Sequence, residues 1–259
     1  MTAAGPDTRT QDTHRTPIGP ATAATATAAA AVAVVVYSDI GCPWASLALY
    51  RLRRAAAAEG VALAVDHRAF PLELFNGRPT PKGILDPEVA ALADLEPALG
   101  WRAWSAPESG YPVTMLPAME AVQAAKTAAV GGLAASDQLD AALRHAFYAE
   151  SRCVSVHSEI VAIARTCPLV DADALDAALR AGSHRAALFA QWEAAKGPEV
   201  QGSPHFFFPD GTDAHNPGVA FTWPAGTERP VVTANTPDYF TALVRRLAGR
   251  HHPAPAAGR

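Results

Sequence analysis

The chain has 259 residues, of which 49% are apolar, and a formal net charge of −4. That length suits one large domain or two small ones, and the lack of a basic excess argues against nucleic acid or an anionic membrane as the main partner. Its three cysteines (Cys42, Cys153, Cys167) are too scattered for a disulfide framework, no pair has metal-ligand spacing, and the nine histidines form no His-x-x-x-His pattern, so no metal is expected.

Residues 1–32 are rich in Thr, Ala and Pro without apolar periodicity and read as a disordered tail. The run "AAAAVAVVV" resembles a short signal-peptide core, but the charges before it are mixed and distant. It continues directly into Tyr37, so we read it as the first strand, over 32–37. No stretch approaches transmembrane length, and the expected compartment is the cytoplasm, with secretion as the alternative. A helix is predicted over 43–58, with Pro43 in its first turn and Gly60 just past its end. "VALAVDHRAF" (61–70) alternates as a second strand, which makes 33–84 a parallel βαβ unit.

From 85 to 197 the period is helical. "LEPALGWRAWSAPESGYPVTMLPAME" reads as loop with broken helix, and Ser136, Ser155, Asp171 and Ser183 are placed to open helices, the last two stopping at Gly182 and Gly197. Strand character returns in "HFFFPDGTDAHNPGVAF", where Pro209-Asp210-Gly211 marks a hairpin turn and "HNPG" a second turn. Thr236 can cap a last helix bearing Phe240, Leu243, Val244 and Leu247 on one face, which completes a segment at 198–249. Residues 250–259 read as a tail. The order is βαβ, a helical block, then ββα.

"SDIGCPWASL" places Cys42 where a strand passes into a helix. A thiolate there is stabilised by the helix N-terminus, so the expected pKa lies below the free-cysteine value of about 8.5. The plainer reading is a small buried hydrophobe, common for free cysteines. Cys153 and Cys167 end one helix and line the next; Cys167 reads as packing, and nothing brings either near Cys42. His145 and His205 read as hydrogen-bonded structural histidines. Asp39 reads either as a charge tuning the site or as a loop carboxylate, and Trp44 either as a site wall or as packing. Pro204 can simply begin a strand.

These features together resemble the DsbA family of thioredoxin-fold oxidoreductases, in particular its FrnE-like branch. "SDIGCPWA" is similar to that family's Ser-Asp-x-x-Cys-Pro-Trp-Cys turn, and "RAFPLE", "HAFYAESRCVS" and "VQGSPHFFFPDG" resemble later segments, so the likeness spans about residues 33–249. It implies an α/β thioredoxin fold with a helical insertion between strands 2 and 3, packed over the active-site end of the sheet. It also implies Cys42 as nucleophile, a cis bond between Ser203 and Pro204 facing it, and Asp39, Pro43 and Trp44 shaping the site. The departure is Ala45, which stands where the family has its second cysteine.

Without that thiol, a mixed disulfide at Cys42 must be broken by another molecule. The expected activity is monothiol thiol–disulfide exchange on a protein or small-molecule thiol or disulfide. No cofactor would be tightly bound, and a low-molecular-weight thiol such as glutathione or mycothiol would serve as co-substrate. Two alternatives stand beside it. One is an enzyme like the kappa-class glutathione transferases or hydroxychromene-carboxylate isomerases, in which Cys42, Ser46 and Ser203 hold a thiol cofactor. The other is a degenerate binding protein.

Overall fold

The computed structural model describes residues 31–251. The tail expected over 1–32 therefore lies outside the described residues up to residue 30, as do residues 252–259 of the C-terminal tail. A β-branched run forms β1 (Val32–Ser38), whose Val32, Val34 and Val36 are buried. It passes through a tight turn into α1 (Pro43–Ala58), with Pro43 at a position where the missing N–H costs no intrahelical bond. β2 (Leu63–Ala69) returns parallel to β1 in the register Val32↔Leu63 to Ser38↔Ala69. Seven helices follow: α2 (Leu72–Asn76), α3 (Lys82–Leu95), α4 (Leu116–Ala125), α5 (Leu133–Tyr148), α6 (His157–Ala164), α7 (Ala172–Ala181) and α8 (Arg185–Ala195).

The chain then re-enters the sheet as β3 (His205–Phe207), antiparallel to β1, and β4 (Asp213–His215), antiparallel to β3, giving the order β2-β1-β3-β4. A separate hairpin, β5 (Val219–Thr222) with β6 (Val231–Asn235), precedes α9 (Tyr239–His251). This is an α/β thioredoxin fold with the helical block inserted between its second and third strands. One core joins β1, β3, α1 and α9 through Val36, Leu49, Leu52, Phe206 and Phe240. A second joins the other face of α1 (Trp44, Leu47) to the insertion (Leu92, Leu143, Phe147, Ile160). Helix α1 is thus buried on both sides, which holds its N-terminus in place.

Local signals and tertiary contacts compete at several boundaries. Asp171 caps α7 through the N–H groups of Asp173 and Ala174, and Gly182 ends that helix at φ 60°, as its sequence implies. Ser136 instead lies inside α5, because its hydroxyl donates to Val122 O of α4, and the helix starts at Leu133. Ser155 donates to Thr114 O, so α6 begins only at His157. Ser183 turns back to Ala178 O, and α8 starts at Arg185. Helix α3 crosses residue 85, and α9 runs past 249. "VAF" belongs to β5 and pairs with β6, a second sheet that the sequence reading did not contain. "HNPG" does turn, with Asn216 at φ 46° and Gly218 at φ 81°.

Candidate active site

The turn after β1 is built by Asp39. Its Oδ1 accepts the Gly41 N–H at 2.7 Å, its Oδ2 accepts the Leu72 N–H at 2.7 Å, and its carbonyl accepts the Cys42 N–H at 3.2 Å. The side chain is buried, and that burial outweighs the hydrogen bonds and the nearby Arg144, so its pKa is raised to about 6. Gly41 sits close to the insertion: a Cβ there would lie 3.0 Å from Met115 Cγ, so that side chain would have to shift.

Cys42 is the N-cap of α1, at φ −92° and ψ 109°. Its Sγ accepts the Ala45 N–H at 3.5 Å and donates to the carbonyl of Ser203 at 3.3 Å. Ser203 also accepts the Asp39 N–H through its Oγ at 3.0 Å, and its bond to Pro204 is cis. The strand–helix turn and the segment entering β3 are therefore stitched together around the sulfur. Pro204 is buried, and its carbonyl accepts the Asn216 N–H.

The expectation of a lowered Cys42 pKa is corrected here. Burial of the thiol, only 4% exposed, pushes it up to about 11. The Ser203 side chain and the Ala45 N–H pull downward, and the charges of Glu88 and Asp39 push further up. The helix N-terminus is present, but the loss of water around the sulfur is the larger effect.

Trp44 is fixed on two sides: its indole N–H donates to Glu88 Oε1 at 3.0 Å, and its ring stacks on Phe221 of β5 at 3.7 Å between centroids and 4° between planes. The β5–β6 hairpin thus backs the wall on which Trp44 sits. An open cleft of about 450 Å³ runs along this wall, with Gly41, Cys42, Pro43 and Trp44 on one side and the 76–81 loop, Ile84 and Glu88 facing them. Ser203 closes one edge, and among the described residues Arg78 is the cation that lines the cleft.

Ser46 is buried and does not reach the cleft. Its hydroxyl donates to Cys42 O at 3.0 Å and accepts from Arg144 Nη1 at 2.8 Å. Arg144 is the residue that the sequence reading missed. From α5 it also donates to Asp39 O (2.9 Å) and Ser38 Oγ (2.9 Å), while Asp140 one turn earlier holds its Nε at 2.9 Å. Tyr148, one turn further on, donates to Ile40 O at 3.1 Å. The i,i+4 spacing of Asp140 and Arg144 beside the Leu143–Phe147 stripe was the available signal. Through these bonds the insertion packs directly on the active-site turn.

All three cysteines are free. Cys167 lies three residues beyond α6, off the helix stripe on which the sequence had placed it, and donates to Ile163 O at 3.6 Å, while Cys153 packs partly buried against the insertion core. His205 is held by the Gln201 N–H and Asp213, each at 2.9 Å, and His145 is exposed beside Glu150. Among the described residues no group of three or more His, Cys, Asp or Glu could hold a metal ion, and no helix is long and apolar enough to cross a membrane.

Residues 33–225 match the family model of the DSBA-like thioredoxin domain. Among solved structures, a probable DsbA oxidoreductase from Streptomyces coelicolor aligns with a TM-score of 0.56 at 20% identity, over 86% of this chain and 93% of that one. The cytosolic disulfide reductase DsbM from Pseudomonas aeruginosa aligns at 0.52 and 19%, over 83% and 97%. A 2-hydroxychromene-2-carboxylate isomerase aligns at 0.53 and 16%, over 84% and 97%. At these identities the likeness is one of fold. No curated protein matches the sequence.

Proposed function

The chain belongs to the DSBA-like thioredoxin domain family, and from that premise we propose that it is a monothiol thiol–disulfide oxidoreductase or isomerase acting through Cys42, of the FrnE-like branch. The observation that carries this reading is the setting of Cys42 Sγ, at the N-cap of α1 against the Ser203 carbonyl and on the wall of an open cleft. A disulfide lying in that cleft presents a sulfur to Cys42, while its flanking groups meet Trp44, Pro43 and the Ser203–Pro204 segment.

In the first step Cys42 loses its proton, its thiolate attacks one sulfur of the substrate disulfide, and the other sulfur leaves as a thiolate that takes up a proton. Cys42 is then in a mixed disulfide. Ala45 offers no second thiol, so an external thiolate attacks the mixed disulfide and Cys42 leaves. The net change is an exchange of partners, with electrons supplied by the external thiol and none by the protein. Glutathione or mycothiol is the class of thiol we assign to that step. The fold neighbour DsbM has been solved with glutathione. We place the reaction in the cytoplasm, where such thiols are reduced, and take 33–84 and 198–249 as the two halves of the catalytic fold around the 85–197 insertion.

Incubation of the purified protein with oxidised glutathione, followed by intact-mass analysis and peptide mapping, tests this. One glutathionyl group on Cys42, released by reduced glutathione, is expected. Absence of the adduct at alkaline pH, where the thiol ionises, would remove the exchange reading.

A second reading is favoured by the raised Cys42 pKa. A thiol that stays protonated can donate its S–H to the thiolate of a bound thiol cofactor, as an isomerase or transferase site would need. Arg78 in the cleft would then meet a cofactor carboxylate. Turnover that survives Cys42→Ser, whose hydroxyl still donates, distinguishes this reading from exchange, which that variant abolishes.

A further inference from the structure

The segment that brings Ser203 to Cys42 is a short loop, residues 201–204, leading into β3. At its apex the Ser203 carbonyl accepts the Cys42 thiol hydrogen at 3.3 Å, and Ser203 Oγ accepts the Asp39 N–H at 3.0 Å. A side chain closes the base of this loop. The Gln201 N–H donates to Nδ1 of His205, the first residue of β3, at 2.9 Å.

A backbone N–H can only donate, so Nδ1 carries no proton. The ring hydrogen is therefore on Nε2, which donates to Asp213 Oδ1 of β4 at 2.9 Å. The ring is fully buried and lies flat on Phe207, with centroids 4.6 Å apart and planes at 10°. His215, paired with His205 on β4, lies against the loop: a Cβ on Gly202 would stand 2.7 Å from its Nε2. His205 also pairs with Tyr37 of β1, the strand that leads into the Cys42 turn. One sheet register thus fixes both sides of the contact, Cys42 beyond the end of β1 and Ser203 just before the start of β3. An apolar ring would satisfy the packing here, as Phe206 does at the next position of the same strand. What the imidazole adds is the acceptor for Gln201.

We propose that His205 is a positioning residue for Cys42: by holding the Gln201 N–H it sets the Ser203 carbonyl against the sulfur and keeps the thiol capped until a substrate disulfide displaces that contact. The proposal rests on the reading of Cys42 as the exchanging thiol. Without the acceptor, the Gln201 amide turns to water and the loop relaxes. The Ser203 carbonyl then leaves the sulfur, which is hydrated and ionises more readily.

The test is a matched pair of variants in the full chain. His205→Asn keeps an acceptor at the Nδ1 position and loses the donor to Asp213. His205→Gln keeps a donor at the Nε2 position and loses the acceptor. Both remove the ring from Phe207, so their unfolding midpoints should fall alike. Iodoacetamide alkylation of Cys42, read by peptide mapping from pH 6 to 10, should be about tenfold faster at pH 7.5 in His205→Gln than in the natural protein. Its profile should move about one pH unit to the acid side, the equivalent of one lost hydrogen bond. His205→Asn should keep the natural profile. Ring-nitrogen NMR of the labelled natural protein should show the proton on Nε2 and a slowly exchanging Gln201 amide, a readout that needs neither variant to fold. Equal profiles in folded His205→Gln and the natural protein, acceleration in both variants alike, a ring protonated on Nδ1, or a freely exchanging Gln201 amide would each overturn the proposal. Alkylation does not require disulfide exchange. A natural protein that forms no glutathione adduct therefore overturns the exchange reading, while the alkylation profiles still decide whether His205 positions the thiol.

Discussion

Cys42 donates its thiol hydrogen to the carbonyl oxygen of Ser203 at 3.3 Å, so the resting sulfur is held as a protonated thiol by the same backbone that edges the cleft. Its folded pKa, about 11, lies above the ordinary value of about 8.5. The native state therefore keeps a proton that the unfolded chain releases, and the stabilisation fully present below pH 8.5 is lost as pH rises towards 11. Denaturant titration should show a loss of about 2 kcal/mol between pH 8 and pH 10 that is absent in Cys42→Ala. Alkylation of Cys42 by iodoacetamide should keep accelerating up to pH 10, beyond the point where a free thiol levels off. A plateau near pH 8 would mean that the sulfur is hydrated in solution.

Asp39 gives the opposite end of the pH profile. Its pKa is raised to about 6 by burial, so the native state binds a proton between about pH 4 and 6 that the unfolded chain has released. Stability from this group falls as pH rises through that window and is greatest on the acid side. Glu88, also raised by burial, adds in the same direction. Asp137 and Asp140 are held well below the usual carboxylate range by Arg53, Arg144 and His67, so their contribution is lost only under more acid conditions. The melting temperature should therefore be higher at pH 5 than at pH 7, and Asp39→Asn should flatten that difference. A melting temperature that rises steadily from pH 5 to 7 in the natural protein would contradict the burial of this carboxyl.

What the sequence made legible was local. The β-branched run into Tyr37, Pro43 at the first helical position, and the Asp171–Gly182 pair each carry their reason within a few residues, and each forms the element it implies. What it hid was tertiary. Arg144 reaches Asp39 across 105 positions, Glu88 meets Trp44 across 44, and Phe221 closes on Trp44 from a short hairpin with exposed strands. The Cys42 pKa failed for the same reason. A helix N-terminus is visible in sequence, but the burial that reverses its effect is supplied by elements folded over the turn.

Arg144 should be the main tie between the insertion and the active-site turn. It donates to Asp39 O, Ser38 Oγ and Ser46 Oγ, and its partner Asp140 is buried with it. Removing one member of a buried ion pair leaves the other uncompensated, although Arg53 also contacts Asp140 at 2.7 Å and softens the loss. Arg144→Met should therefore destabilise the protein by about 3 kcal/mol in denaturant titration. Amide exchange of Gly41 and Cys42 should accelerate beyond that of β1, because the turn loses its anchor before the sheet does. Uniform acceleration would assign Arg144 to global stability alone.

Replacing Ala45 with cysteine tests whether the turn still presents Cys42 as a dithiol site would. Ala45 is the third residue of α1, and its N–H already points at Cys42 Sγ from 3.5 Å, so a sulfur on its Cβ lies on the side of the helix that Cys42 caps. The position is fully buried, and the added sulfur should cost about 1 kcal/mol in the reduced protein. Under mild oxidant the variant should close an intramolecular disulfide, read as the loss of two titratable thiols per chain with no mass adduct. It should also gain insulin disulfide reductase activity with dithiothreitol, because the second thiolate now releases the mixed disulfide. The natural protein under the same oxidant with glutathione should stop at a one-to-one adduct on Cys42. A folded Ala45→Cys chain that forms no such disulfide would show that the Cys42 sulfur does not turn towards position 45, and the reading of the cleft as a site of disulfide exchange would fall with it.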